Sequence, residues 1–148
     1  MIKPRLRPAR IRDLREIVSI ERLAFPTPWS PILFWSELFK KKTRLWVVEE
    51  GEKIAGYLCF WEVVDEIHLA NLAVAPDKRR QGLASFMLRT LIGYARRRGF
   101  RRILLEVRER NLPAQKLYQK FGFQIDGRRR SYYRDTGEDA ILMSLPLD

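Results

Sequence analysis

The chain has 148 residues, 46% of them hydrophobic and 32% charged, which suits one domain with a substantial core and argues against a disordered chain. Its 29 Lys and Arg outweigh 18 Asp and Glu, a formal charge of +11 that favours something anionic: nucleic acid, an RNA-rich assembly such as a ribosome, an acidic membrane face or the phosphates of a nucleotide cofactor. A solvated arginine-rich face accounts more simply for any single cluster, such as Arg96, Arg97 and Arg98.

With one cysteine, Cys59, no intrachain disulfide can form, and its apolar surroundings from Ile54 to Trp61 predict a buried strand thiol in a reducing compartment. The N-terminus MIKPRLRPARIRDL lacks the apolar core of a signal peptide, and no later run is long and apolar enough to span a membrane. No repeat, low-complexity tract or linker divides the sequence. Residues 1–148 are therefore expected to form a single domain in a soluble, cytoplasmic monomer without membrane contact.

Ile2 to Leu6 can form a short first strand. A helix from about Ile11 to Phe25 follows, with Ile11, Leu14, Ile17, Val18 and Leu23 near helical spacing, and Pro26 and Pro28 stop it. Ser30 and Pro31 make an N-cap and first-turn pair for a second helix through Leu33, Phe34, Leu38 and Phe39. LWVVEE, a turn at Glu50 and Gly51, and KIAGYLCFWEVV read as an antiparallel hairpin. IHLANLAV reads as a strand ended by Pro76.

A long helix is predicted from about Gly82 to Arg98, with Leu83, Phe86, Met87, Leu91 and Tyr94 inward and Gly99 as its stop. RRILLEVR is a buried strand. Asn111 can cap a fourth helix whose core stripe is Ala114, Leu117 and Phe121, and FQIDGRRRSYY and EDAILMSLPL supply two final strands. The order describes an α/β fold, a central mixed sheet with helices on both faces.

LANLAV leads through APDK and RRQGLA straight into a helix, which sets free N–H groups and a positive dipole end at one spot. Gly82 lets an anion approach the backbone, Ala84 keeps the helix surface low, and Arg79 and Arg80 add charge. The lysine and second glycine of a triphosphate-binding loop are absent, as is the three-glycine dinucleotide pattern.

Arg79, Gly82 and Ala84 match the Arg/Gln-x-x-Gly-x-Gly/Ala motif of the GNAT superfamily of N-acetyltransferases, which the chain resembles. NLAV before the loop, LEVRERN after the helix and LYQKFGF at the fourth helix stand in that family's order and spacing. Within it, AFPTPWS, RRRSYY and GEDAILMSLP resemble the RimI family of ribosomal-protein alanine N-acetyltransferases over nearly the whole length. The chain departs from that pattern by two extra residues before Trp29, around Pro26 and Thr27, and by Ala84 in place of a glycine.

The resemblance implies a GNAT fold: a mostly antiparallel sheet of about seven strands flanked by about four helices. It implies acetyl-CoA as co-substrate, with no metal, held by Leu72, Ala73 and Val74 along its pantetheine arm and by Arg79, Arg80, Gln81, Gly82, Leu83, Ala84 and Ser85 at its pyrophosphate. Asn111 matches a further cofactor contact, a role compatible with its capping one.

Acetyl transfer to an amine needs a proton acceptor for the amine and a donor for the departing thiolate. In RILLEVR, alternation puts Leu104 and Glu106 on one face, an apolar setting in which burial would strengthen the carboxylate as a base. Tyr118, beside core Leu117, carries a phenol near pKa 10 that can protonate a thiolate of roughly 8.5 and also sits by the cofactor. Glu106 has an arginine salt bridge as its plain alternative, and Tyr118 has core packing; the resemblance implies that the two form the catalytic pair, by direct attack without an acyl-enzyme. His68, opposite Ile67 and Leu69 by alternation, is expected to be structural or to support a catalytic group, since one histidine is a poor metal ligand set.

For the acceptor, neutralising a lysine costs about 3.3 kcal/mol more than neutralising an α-amine at pH 7, which favours a peptide N-terminus. Asp65, Glu66, Glu109, Glu138 and Asp139 could receive the basic residues of such a peptide, with Trp29, Tyr132 and Tyr133 walling the entrance; solvated acids and packing aromatics are equally open readings. Three functions remain: acetylation of a ribosomal protein's N-terminal alanine with the basic surface meeting ribosomal RNA, another GNAT reaction on a lysine or small amine, or a non-catalytic RNA- or ribosome-binding module.

Overall fold

The computed structural model describes residues 3–79 and 81–148. Seven strands and four α-helices follow in chain order: β1 Arg5–Pro8, α1 Leu14–Ala24, α2 Pro31–Leu38, β2 Thr43–Glu50, β3 Lys53–Val63, β4 Glu66–Val74, α3 Leu83–Arg97, β5 Arg102–Arg108, α4 Leu112–Lys120, β6 Gln124–Tyr133 and β7 Glu138–Pro146. The first strand lies later than Ile2 to Leu6; Ile2 is outside the described residues, and pairing with β2 carries the strand on to Pro8. The first helix begins later than Ile11 because Ile11–Asp13 forms a 3-10 turn, with the Asp13 carboxylate accepting from the Arg10 N–H at 2.7 Å. Helix starts follow local chemistry: Ser30 Oγ accepts from the Leu33 N–H at 3.2 Å, and Asn111 Oδ1 from the Ala114 N–H at 3.3 Å.

The strands form one mixed sheet in the order β1-β2-β3-β4-β5-β7-β6, with β4 and β5 parallel and the other neighbours antiparallel. Helices α1 and α2 cover one face, where Ile17, Ile20 and Phe34 pack on Leu45, Val47 and Tyr57. Helices α3 and α4 cover the other, where Met87, Leu88, Leu91 and Tyr118 pack on Leu58, Phe60, Ile103 and Leu105. The central β3 is buried without a break from Ile54 to Phe60, as a strand covered on both faces requires.

Several residues predicted inward point out. Ile11 and Leu23 are 51% and 67% exposed, while the buried stripe of α1 is Ile17, Val18, Ile20 and Glu21. Helix α2 is apolar almost all round, so periodicity cannot choose its face; Phe34 and Glu37 are buried and Leu33 and Phe39 exposed. In α4 the buried residue is Tyr118, with Ala114, Leu117 and Phe121 only packed against the core.

Strand β4 departs from regular pairing on both sides. Its register against β3 slips between Cys59–Asn71 and Phe60–Leu69, so Ala70 is an extra, unpaired residue: a β-bulge. The ladder with β5 runs only from Glu66–Arg102 to Leu69–Leu105 and stops at the bulge, beyond which the two strands part. The backbone of β4 is also approached closely from β3: a Cβ on Gly56 would lie 2.7 Å from the Ala73 carbonyl oxygen and 3.3 Å from Met87 Cε. Gly56→Ala should therefore cost about 2–3 kcal/mol in denaturant unfolding; a loss under about 0.5 kcal/mol would mean the two strands can separate freely there.

Candidate active site

The parting of β4 and β5 opens a cleft lined by Leu69, Ala70, Asn71 and Leu72 on one side and by Leu105 to Arg108 on the other. Glu106 is the first β5 residue past the last β4–β5 pair, at the apex of the split. Because the sheet is interrupted, groups from its two faces reach the same space. Tyr118, Ala114 and Leu117 come from α4, Glu21 from α1, and Phe25, Thr27 and Trp29 from the segment between α1 and α2. Tyr133, at the end of β6, adds a further wall.

Glu106 does not stand in apolar company. On β5 the residues Ile103, Leu105 and Val107 are buried toward α3 and α4, leaving Leu104 and Glu106 on the half-buried face. Alternation places the pair on one face correctly, but that face is the wetter one, and the partner of Glu106 there is polar: His68 Nε2 lies 2.5 Å from Glu106 Oε2. His68 reaches it because His68 and Leu104 are ladder partners and Glu106 is two residues further on along the same face. The imidazole is fixed in turn by the Trp61 ring, edge-on at 5.1 Å, whose Nε1 donates to Glu37 Oε1 at 2.7 Å.

Tyr118 is 9% exposed, its ring tilted against Phe123 at 5.5 Å, and burial pushes its phenol up to about 12. It is thus a core residue whose edge lines the cleft, not a residue on the rim of α4. Cys59 is fully buried in β3, and burial pushes its thiol up to about 12 as well, which leaves it without nucleophilic character.

At the C-terminal end of β4 the chain turns through a 3-10 segment, Pro76–Lys78, into α3. Gly82 is the N-cap of α3 at φ +77°, a left-handed conformation that glycine adopts without strain, and the first helical bond runs from the Phe86 N–H to the Gly82 carbonyl. The N–H groups of Leu83, Ala84 and Ser85 precede that bond and carry the positive end of the dipole. Leu83 itself is a core side chain, so only its backbone is offered; Gln81 is exposed, and Ala84 and Ser85 are half-buried. Arg79 donates from Nε to the Val74 carbonyl at 3.4 Å. Arg80 lies outside the described residues. Of the three strand residues expected beside a cofactor, Leu72 lines the cleft, Ala73 is buried toward α1, and Val74 packs toward α3. Asn111 caps α4 and also lines the cleft, so the cap leaves room for the expected cofactor contact.

The expected acceptor-binding residues divide. Trp29 and Tyr133 line the cleft. Tyr132 is 41% exposed, stacked edge-on with Tyr133 at 5.1 Å and covered by Arg129 at 5.0 Å, outside the lining. Glu66 sits at the opposite end of β4, bonded to Arg101 and Arg102 and away from the split. The other acids are similarly engaged: Asp65 with Arg101, Glu109 and Asp139 with Arg128, and Glu138 with Arg108 and the Arg110 N–H. Sequence alone cannot separate an acid held by a neighbouring arginine from one waiting for a peptide.

Glu21, Asn71 and Arg108 are among the cleft residues that escaped prediction. Glu21 is 1% exposed; its Oε1 accepts from Asn71 Nδ2 at 2.7 Å and from the Tyr57 hydroxyl, and its Oε2 from the Trp29 N–H at 2.9 Å. Burial, with Glu21 alongside, raises the Tyr57 phenol, which keeps it a donor. A signal exists in the sequence: Glu21 follows Ile17 by four residues, a carboxylate on an apolar stripe. Asn71 faces Glu21 only because the bulge turns the strand over, and Arg108 reads in sequence as one more surface arginine. Tyr133 is aimed by a second irregularity, two extra β6 residues between the Arg129–Ala140 and Tyr133–Glu138 pairs. Ser131 takes φ 49° there, held by its N–H donating to Asp139 Oδ1 at 2.8 Å.

A parallel strand pair parted at a bulge, with an exposed helix start beside it and a carboxylate and a phenol in the gap, is an arrangement that suits acyl transfer. Residues 14–123 match the Acetyltransferase (GNAT) family, and the chain belongs to that family. A Bacillus subtilis relative, 37% identical over 95% of this chain and 94% of its own, carries a provisional name as a [ribosomal protein bS18]-alanine N-acetyltransferase. The Escherichia coli K12 protein named [Ribosomal protein bS18]-alanine N-acetyltransferase is 39% identical over 91% of this chain and 92% of its own. The crystal structure of the Escherichia coli ribosomal-protein-S18-alanine N-acetyltransferase superposes with a TM-score of 0.91, at 35% identity, over 99% of this chain and 95% of that one.

Proposed function

We propose that the protein transfers the acetyl group of acetyl-CoA to the α-amine of a ribosomal protein's N-terminal residue, an alanine by analogy with the named relatives. The observation that carries this reading is the position of Glu106, at the apex of the β4–β5 split, in one cleft with Tyr118. The residues fit the co-substrate: past Leu69, β4 has no β5 partner, which leaves backbone groups for the amides of a pantetheine arm. The start of α3, with Gly82 and Arg79, suits a pyrophosphate. Acetyl-CoA supplies the acetyl group as an activated thioester.

Glu106 accepts the proton of the attacking amine. His68 occupies its Oε2, which assigns the amine, or a water relaying its proton, to Oε1. His68 is a positioning residue in this scheme. Tyr118 donates a hydrogen bond to the departing sulfur. Burial raises the phenol further above the ordinary range of a thiol, so Tyr118 keeps its proton and stabilises the thiolate as a hydrogen-bond donor while solvent supplies the proton. The exposed Arg129 and Arg130 on edge strand β6 give a basic face for ribosomal RNA, and the protein acts as a cytoplasmic monomer.

Labelled acetyl-CoA with an alanine-starting peptide, its pre-acetylated copy and an internal-lysine peptide tests the assignment. Label is expected in the first alone. Label confined to the lysine peptide rejects the N-terminal acceptor, and salt-sensitive RNA binding without cofactor binding rejects catalysis altogether.

A further inference from the structure

The segment between α1 and α2 and the turn between β6 and β7 flank the mouth of the cleft, and one bonded group joins them. Thr27 Oγ1 donates to Asp135 Oδ2 at 2.5 Å, across 108 residues of sequence. Arg108, on β5 two residues beyond Glu106, holds the same carboxylate with both arms of its guanidinium, NH1 to Oδ1 at 3.2 Å and NH2 to Oδ2 at 3.0 Å. The guanidinium also reaches Glu138 at 3.4 Å and lies over the Tyr133 ring at 4.0 Å. The bidentate fork is the stronger and more directional form of this contact.

We propose that Thr27, Asp135 and Arg108 form a clasp that ties the two flanking segments to the strand carrying Glu106, and that Thr27 is a positioning residue for acceptor binding. The clasp sets Trp29 and Tyr133 at a fixed separation before any acceptor arrives, so the ordering cost is met in the free protein. Its ionic half is in place at neutral pH, since Thr27 and then Arg108 hold the Asp135 carboxyl below its ordinary range. The Thr27 hydroxyl is its least redundant element: Arg108 keeps Glu138 and Tyr133 if Asp135 moves, whereas no other bond links the two segments directly among those of the described residues.

The proposal rests on the N-terminal acceptor for its kinetic arm only. In the free protein, amide hydrogen exchange over residues 25–30 and 131–137 should quicken about fivefold in both segments together for Thr27→Val, and stay near wild type for Thr27→Ser. With the alanine-starting peptide, Thr27→Val and Asp135→Asn should each raise the peptide KM about three- to tenfold without changing kcat or the KM for acetyl-CoA. The double variant should be no worse than Asp135→Asn alone. Unchanged exchange, or faster exchange confined to 25–30, overturns the clasp, as does a fall in kcat at unchanged peptide KM. If wild type fails to acetylate the peptide, the acceptor assignment falls and the exchange comparison still decides the clasp.

Discussion

Glu106→Gln should lower kcat by about 10²- to 10⁴-fold while leaving acetyl-CoA affinity within about twofold of wild type. The substitution keeps the shape of the side chain and a polar atom facing His68, so what disappears is the capacity to accept a proton. Single-turnover rates with the alanine-starting peptide, alongside calorimetric titration with acetyl-CoA, separate chemistry from binding. Retention of more than about a third of the wild-type rate would reassign the base, with His68, 2.5 Å away, next in line. A parallel loss of cofactor affinity would instead make Glu106 a structural brace for the split.

Glu21→Ala should destabilise the protein by about 3–5 kcal/mol, because it leaves the Tyr57 hydroxyl, the Asn71 amide and the Trp29 N–H without their acceptor in a buried setting. For a chain of this size that corresponds to a fall in Tm of about 10 °C. Glu21→Gln is the more discriminating variant. Its oxygen can stay with Tyr57 and Asn71, but its NH2 group must then face the Trp29 N–H, donor against donor. The segment around Trp29 should shift, raising the acceptor KM and altering tryptophan fluorescence at a modest stability cost of about 1–2 kcal/mol. An Ala variant as stable as wild type would mean that water replaces the carboxylate at no cost.

Much of the frame is local chemistry and therefore readable from the chain. Ser30 and Asn111 cap helices because their side chains reach a backbone N–H three residues on, and Gly82 starts α3 because the chain must pass through φ +77°. The loop before α3 is legible for the same reason. What could not be read depends on long-range placement. Alternation identifies which residues share a face with Glu106 but not which face is wetter, since that is decided by the helices packed across it. Helix α2 offers apolar residues on every side, so only its neighbours choose Phe34 over Phe39. Glu66 looks available to a peptide until Arg101 and Arg102 are brought beside it, and the bulge at Ala70, which turns Asn71 toward Glu21, has no glycine or proline to announce it.

That bulge makes the proposed reaction site a fault in a hydrogen-bonding ladder. The β4–β5 ladder ends where the supernumerary residue sits, and the main-chain groups left over are what the proposed cofactor arm would pair with. Recognition written in the main chain is indifferent to side-chain identity, so β4 positions other than His68 and Asn71 can change while the path of the strand, and with it the proposed grip on the cofactor, is preserved. Removing Ala70 would be the more damaging event: register would be restored, the strands could close on each other, and a catalyst would become a continuous wall.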